Sequence, residues 1–474
     1  MPVLRSENIR AGVETMKQEV GREPFFTKDR GFYRTLFRML LVVALQNLVA
    51  YSVNMADNIM LGSYSQTSLS AAATVNQVFF MVQQFALSIG NALVVLGAQY
   101  WGQERAEPVR TLTGIALKLG AAISALLVGI CVLIPEPLLY LFTDSLEIVA
   151  EGLRYLSLIR WTFALFILTN VLMSALRSVG IVNISFYVSV VSLIVNVGVN
   201  YTLIFGRFGF PELGILGAAV GTLIARGLEF LIVLLYIVRF DKKLRLFSGG
   251  ALWRRDSGLR GDYIRVYLPI MCSQVLWGIS VPMQTAILGH LADDAIAANS
   301  IATTFYQYLK VIVIAMSSVS AVMIGNAIGR SDRQRVRSDA RTMAVIDVLI
   351  GAVLGAALFL LRRPLISLYT LTPAAREMAV NLIAVMSVVM VGMSYQMPVS
   401  FGIIQGGGDT GFTMKMNLIS TWCIVMPLSF MAAFWWKWPV EAVVLVIQSD
   451  QIFKGLPTFL RFRKYQWMKK LTAD

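Results

Sequence analysis

The sequence predicts an all-α membrane protein of twelve transmembrane helices in two pseudo-symmetric six-helix bundles, and three observations lead there. Hydrophobic residues fill 57% of 474 positions and charged residues only 14%, too few to coat a soluble protein of this size. Apolar runs of about 20 residues, enough to cross a bilayer, begin near Leu36, Leu69, Leu112, Leu153, Ile184, Leu213, Tyr263, Ile296, Ala340, Ala375, Phe412 and Trp438. The second half repeats the first at an offset of about 227 residues: Met60-Leu61-Gly62 recurs as Ile287-Leu288-Gly289, Gly102 as Gly329, Val109-Arg110 as Val336-Arg337 and Thr143 as Thr370. The expected divisions are a tail at 1–34, a bundle at 35–240, a basic linker at 241–261, a second bundle at 262–460 and a basic tail at 461–474.

Charge placement sets the orientation. The formal charge of +14 would point to nucleic acid in a soluble protein. Here most Lys and Arg residues fall in alternate connections: the N-terminal tail, Gln103 to Arg110, Arg239 to Arg265, Arg330 to Arg341 and Arg461 to Lys470. By the positive-inside rule these loops and both termini face the cytoplasm of a plasma (inner) membrane, and no nucleic-acid partner is needed. The opposite connections carry Asp144 and Glu147, or Asp293 and Asp294, and are poor in basic residues apart from Arg362, Arg363 and Arg376. Trp435, Trp436 and Trp438 cluster at an outer end, as an interfacial anchor does. An even number of spans per half inserts both halves with the same orientation.

The first thirty residues are charged throughout and lack a short apolar core ending in small residues, so no cleavable signal peptide is expected. Ser6 to Val20 forms either a surface helix or a disordered leader. Cys131, Cys272 and Cys423 stand alone in apolar segments and read as packing residues. His290, the single histidine, is placed in a short loop. No cofactor, metal centre or His-driven triad can be assembled, so an enzyme is not expected.

Polar residues inside the membrane are costly and mark function. On the first span Asn47, Tyr51, Asn54 and Asn58 recur at helical spacing beside Asp57. The repeat replaces Asp57 by Gln284, so one half carries an acid that the other lacks. The second span repeats the device with Gln77, Gln84 and Asn91. Such amides also serve simply to bind helices together, whereas a carboxylate at that depth needs a cation, a proton or a buried base. The fifth span supplies Asn196 and Asn200 on one face. The sixth supplies Thr222, after Gly217-Ala218-Ala219-Val220-Gly221. A carboxylate, two amide oxygens and a hydroxyl are hard ligands suited to a small cation, so Asp57 can alternate between charged and neutralised states.

Other intramembrane features have plain structural explanations beside the functional ones. Arg226 with Glu229 on the sixth span, and Asp450 with Lys454 on the twelfth, read as internally neutralised pairs. Asp347 on the ninth is expected to pair with its basic loop. Lys310, mid-span on the eighth helix with Gln307 before it, can snorkel, pair with an acid or line a cavity; in a cavity it would disfavour cations. Phe79, Phe80 and Met81 correspond to Phe305, Tyr306 and Tyr308, an adaptable apolar surface that can equally face lipid. Candidate cavity residues are therefore Tyr51, Asn54, Gln77, Phe80, Gln84, Gln284, Tyr306, Gln307 and Lys310. The glycines from Gly402 to Gly411 read as a flexible cytoplasmic connection, since no Gly-Lys-Ser/Thr follows them.

At these residues the chain resembles a known family. Val53-Asn54-Met55-Ala56-Asp57-Asn58-Ile59-Met60-Leu61-Gly62, Gly97-Ala98-Gln99-Tyr100-Trp101-Gly102, Asn196 through Gly206, and Gly406-Gly407-Gly408-Asp409-Thr410 look like the multidrug and toxic compound extrusion (MATE) family, over nearly the whole chain from about Thr35 to Lys470. The resemblance implies a V-shaped pair of six-helix bundles that expels organic, often cationic, compounds in exchange for protons or sodium ions. It also implies that Asp57 is the ion-coupling acid, with Asn196, Asn200 and Thr222 in support. Some relatives have an acid at Asn200, and that departure favours protons over a tightly held sodium ion. Others carry further acids on helices seven and ten, where this chain has only Glu377 at the outer end. Coupling is therefore expected in the N-terminal half.

The leading expectation is a monomeric secondary multidrug exporter acting on small molecules in the lipid bilayer. Its alternative is a flippase or exporter of a lipid-linked or anionic amphiphile, which the scarcity of mid-span Arg disfavours. A receptor or scaffold would leave the duplication and Asp57 unexplained.

Overall fold

The structure, a computed structural model, describes residues 25–289, 293–367 and 372–472. The expectations for Ser6 to Val20, His290 and Thr370 fall outside the described residues, as do the side chains of Asp293 and Asp294. The described chain is helical: α1 (Arg30–Tyr64), α2 (Gln66–Gly102), α3 (Ala106–Leu133), α4 (Leu146–Ser178), α5 (Asn183–Ile204) and α6 (Ile215–Arg239) form the first repeat, with a short helix at Pro135–Tyr140. The second repeat contains α7 (Ser257–Gly289), α8 (Asp293–Gly329), α9 (Arg333–Ile366), α10 (Pro373–Ile404) and α11 (Thr410–Trp435). It ends in α12, broken into Val440–Gln448, Asp450–Phe453 and Gly455–Arg463.

Eleven helices among the described residues are long and apolar enough to cross a membrane. The twelfth expected span is interrupted, and Pro457, which cannot donate to a helical ladder, sits in its last piece. Most helices start several residues before the apolar run, because charged residues with good helix propensity extend them past the bilayer core. Side chains cap several N-termini: Asp29 accepts from the Gly31 amide at 2.7 Å, Asp332 from Arg335 at 3.0 Å and Thr372 from Ala375 at 3.1 Å. Near Pro398 and Pro427 the helices widen into π turns at Pro398–Ile404, Ile419–Val425 and Met431–Trp435, as expected where a missing amide breaks the regular ladder. Trp435, Trp436 and Trp438 are exposed in the turn between α11 and α12.

Small residues set the close approaches. A Cβ at Gly90 or Gly97 on α2 would run into Ser174 or Ser178 on α4. In the second repeat a Cβ at Gly402 on α10 would meet Ser317 and Ser320 on α8. Glycine and serine have exchanged helices between the copies.

The cores do not follow the repeat boundary at the basic end of the molecule. Phe32, Leu36, Met39, Leu40 and Val43 of α1 pack in a core with α8, α9 and α10 of the other repeat. Reciprocally, Tyr263, Val266, Tyr267 and Ile270 of α7 join the core of the first repeat, where the Tyr263 hydroxyl donates to the Ile89 carbonyl at 2.8 Å. The two first helices of the repeats therefore cross between bundles.

The linker after α6 is folded onto the basic end of α3. A 3₁₀ turn at Ser248–Trp253 lies there, with Thr111 donating to the Ala251 carbonyl at 3.1 Å and Arg110 to the Leu244 carbonyl at 2.7 Å. The glycine-rich turn from Gly402 to Thr410 is buried throughout, which corrects the flexible connection expected there. Trp467 fills the space beside Gly407, and Gly408 adopts φ +97°, a conformation that glycine tolerates.

Candidate functional site

The site is assembled by α1, α4, α5 and α6. Gly217 and Gly221, one turn apart on α6, let α5 approach: a Cβ at Gly217 would collide with the Leu203 backbone, and one at Gly221 with the Asn200 amide oxygen. That closeness buries Asn196 and Asn200. Asn200 Nδ2 donates to Asp57 Oδ1 at 2.6 Å and lies 3.3 Å from Asn196 Oδ1. Asn196 Nδ2 in turn points at Thr222 Oγ1 at 3.5 Å. The four residues singled out from spacing are thus one continuous cluster. Asn200 Oδ1, pressed against Gly221, is buried with no hydrogen-bond partner among the described residues.

A cavity of about 150 Å³ opens from this cluster. Asn54 and Asp57 line it from α1, Asn76 and Phe79 from α2, Tyr155, Phe166 and Asn170 from α4, and Thr222, Arg226 and Glu229 from α6. Arg226 donates to Glu229 at 2.8 Å and lays its guanidinium over Phe166, 5.0 Å from the ring centroid. It also stands within electrostatic range of Asp57. The expected neutral pair is present, but it belongs to the cavity as well. With Asp57 ionised, two acids and one base leave the cavity a single negative charge; with Asp57 neutralised the charge vanishes.

Several lining residues were not expected from the sequence: Tyr155 packs its hydroxyl against Thr222, Asn76 takes the lining position given to Gln77, and α4 adds Thr162, Phe166, Thr169 and Asn170. Only contact across helices identifies them.

The remaining candidates separate. Asn54 lines the Asp57 cavity, whereas Tyr51 and Gln77 are exposed and stand outside its lining. Phe80 packs against Trp277 on α7, with centroids 5.9 Å apart. Gln84 is buried between the halves, donating to the Phe80 carbonyl at 3.3 Å, with its side chain against Gly278. Tyr306 is in the core of the second half, where its hydroxyl donates to Met393 Sδ at 2.8 Å; its length carries it past any cavity surface into packing. Gln284 is half-buried and Gln307 exposed. Lys310 lies over Trp277, 5.5 Å from the ring centroid.

Asp347 departs from expectation. It is 1% exposed and neither carboxylate oxygen has a hydrogen-bond partner among the described residues. About four turns into α9, it lies within electrostatic range of Tyr395 on α10, whose hydroxyl is also unpartnered among the described residues. The Asp450 and Lys454 pair forms as expected, at 2.6 Å. Of the three free cysteines Cys131 is buried, but Cys423 is exposed, on the outer surface of a helix rather than in its packing.

Comparison with known proteins covers both repeats. Residues 43–202 and 269–431 match the MatE family. The chain is 28% identical over 406 residues to a probable multidrug resistance protein NorM of Rhizobium meliloti, covering 83% of this chain and 84% of that protein. It is 23% identical to the multidrug resistance protein MdtK of Pectobacterium atrosepticum, covering 85% and 88%. Among solved structures, the Vibrio cholerae MATE transporter VcmN in its bent form superposes with a TM-score of 0.81 at 19% identity, over 92% of this chain and 97% of that one. A Pyrococcus furiosus transporter, described as having a binding pocket of reversed polarity that suggests a different function, superposes with a TM-score of 0.82 at 18% identity, over 94% and 100%.

Proposed function

The chain belongs to the MatE family, and from that premise we propose that it is a secondary multidrug exporter exchanging organic compounds for protons or sodium ions, with coupling at Asp57. The observation that carries this reading is the 2.6 Å contact between Asn200 and Asp57, in a cluster that opens directly into an aromatic-lined cavity. The relatives named for multidrug resistance support the substrate class.

The same carboxylate serves ion and drug in turn. Ionised, Asp57 gives the cavity one net negative charge and attracts an organic cation into it, against a wall that Phe79 and Phe166 build in edge contact with each other. A proton or sodium ion arriving at Asp57 cancels that charge and weakens the drug's hold, so the two bind in alternation. Asp57, Asn196 Oδ1, Asn200 Oδ1 and Thr222 Oγ1 supply oxygen ligands for sodium, and the carboxylate alone suffices for a proton.

Alternating access follows from the path of α1. Its outer part carries Asp57 against α5, while its basic end lies in the core of the opposite bundle. A shift of α1 on neutralisation of Asp57 therefore moves the halves relative to each other. In this reading the basic end faces the cytoplasm of the plasma membrane, both termini lie there, and the monomer is the working unit. An elementary charge driven across the membrane supplies about 2.3 kcal/mol per 100 mV.

The test is ion-driven efflux of a fluorescent organic cation from vesicles, imposed in turn by a pH gradient and by sodium. Asp57→Asn is expected to abolish coupled efflux while leaving the protein folded. Full-rate coupled efflux by that variant would sink the assignment.

A further inference from the structure

We propose that Lys310 forms, with Trp277 and Phe80, a binding subsite in the second half for a carboxylate on an aromatic substrate, so that the transported compounds include zwitterions and anions. The inference rests on the exporter reading and specifies its substrate class.

Lys310 lies mid-helix in α8 and is half-buried. An ammonium at that depth is expected to find an acid or reach the interface. Neither happens: its neighbour is the Trp277 ring, 5.5 Å away, and no carboxylate among the described residues pairs with it. Asp450 is the acid whose field reaches it, but that acid is already engaged. Lys454 Nζ sits 2.6 Å from Asp450 Oδ2, and Gln451 donates to Oδ1 at 3.0 Å. Lys454 is itself fixed by Asn417 at 3.0 Å, which is anchored by Ser273 at 2.7 Å. This three-helix network is complete without Lys310, whose charge is surplus.

The surroundings give that charge a use. Trp277 packs on Phe80 across the junction of the bundles, with the ammonium over the Trp277 ring. Gln84, buried beneath against Gly278, keeps its Oε1 without a partner. On another face of α8, two residues before Lys310, Tyr308 donates to Met55 Sδ of α1 at 2.8 Å. The halves thus have opposite polarity. The Asp57 cavity has a net negative charge, and Lys310, Lys454 and Asp450 leave one positive charge. A ring bearing an amine at one end and a carboxylate at the other matches both.

The experiment uses the full chain in proteoliposomes with a matched pair of probes, an aromatic amine carrying a carboxylate and its methyl ester. Lys310→Gln is expected to lower kcat/KM for the acid roughly tenfold or more, mainly through KM, as loss of one charge-assisted hydrogen bond would. The ester should stay within about twofold, and Lys310→Arg should retain the acid. Equal losses for both probes, or an unaffected acid with a transported ester, overturn the subsite and leave the exporter reading standing. Wild-type protein that moves neither probe under any gradient overturns both. A labelled phosphatidylglycerol in the same vesicles separates the sources of an acidic group: if Lys310→Gln stops lipid movement and spares the acid, the free-carboxylate assignment is wrong.

Discussion

Gly102 and Gly329 meet backbone to backbone where α2 crosses α8. A Cβ on Gly102 would strike the Asn326 carbonyl and the Gly329 Cα, and a Cβ on Gly329 would strike the Gln99 carbonyl and the Gly102 Cα. The two glycines are counterparts in the repeat, as are Gln99 and Asn326, so the pseudo-symmetry axis passes through this contact. The turns that follow are also matched, with Glu104 and Ser331 both left-handed at φ 61°. Any side chain here wedges the basic ends of the bundles apart. Gly329→Val is expected to cost about 1 to 3 kcal/mol in this closed arrangement and to favour opening at the basic face. Maleimide labelling of Ala98→Cys, in a background lacking the native cysteines, should speed up when Gly329→Val is added. Unchanged labelling and efflux would show that the contact does not hold the closed state.

Asn200 is the point at which ion preference can be moved. Its amide faces Asp57 at 2.6 Å, so Asn200→Asp puts two carboxylates side by side. Like charges so close require a shared proton or a bound cation. The variant is expected to gain sodium-driven efflux relative to proton-driven efflux, measured with opposed gradients in the same vesicles. An unaltered ratio would mean that this amide does not help choose the ion.

The Asp450 and Lys454 pair should behave as buried charges do. Lys454→Met strands a carboxylate with 10% side-chain exposure and should cost about 3 to 5 kcal/mol, whereas removing both charges with apolar residues should be close to neutral. Thermal unfolding in detergent across the two single variants and the double variant gives the coupling. Additive losses would show that the pair contributes nothing as a pair.

Periodicity and duplication made much of this architecture legible. The apolar runs gave the bundles, and helical spacing placed Asp57, Asn196, Asn200 and Thr222 on faces that do meet. The rest depended on contacts between helices. Depth along a span does not reveal rotation, so Asp347 was expected at its basic loop yet lies within electrostatic range of Tyr395. Composition reads Gly402 to Gly411 as loose, whereas Trp467, sixty residues beyond Gly407, packs the turn shut. The crossing of α1 and α7 between cores leaves no mark in hydropathy, because either core accepts the same apolar side chains.

Trp467 gives the last prediction. It is fully buried, its ring stacked 6.1 Å from Phe462 and its Nε1 donating to the Phe462 carbonyl at 3.0 Å. The segment after it crosses to the other half: Gln99 Nε2 donates to the Lys469 carbonyl at 3.1 Å, the Leu471 amide donates to Gln99 Oε1 at 2.8 Å, and Gln103 donates to Thr472 at 2.6 Å. The tail is thus a strap across the basic face, anchored by packing at one end and by amides at the other. The two ends should fail differently. Trp467→Ala removes a buried aromatic and should lose about 3 to 5 kcal/mol of stability. Gln99→Ala removes two hydrogen bonds of about 1 kcal/mol each, leaves the tryptophan seated, and should instead raise labelling of Ala98→Cys from the basic side with little change in melting temperature. If Gln99→Ala melts the protein as Trp467→Ala does, the strap is part of the core and does not act as a latch between the halves.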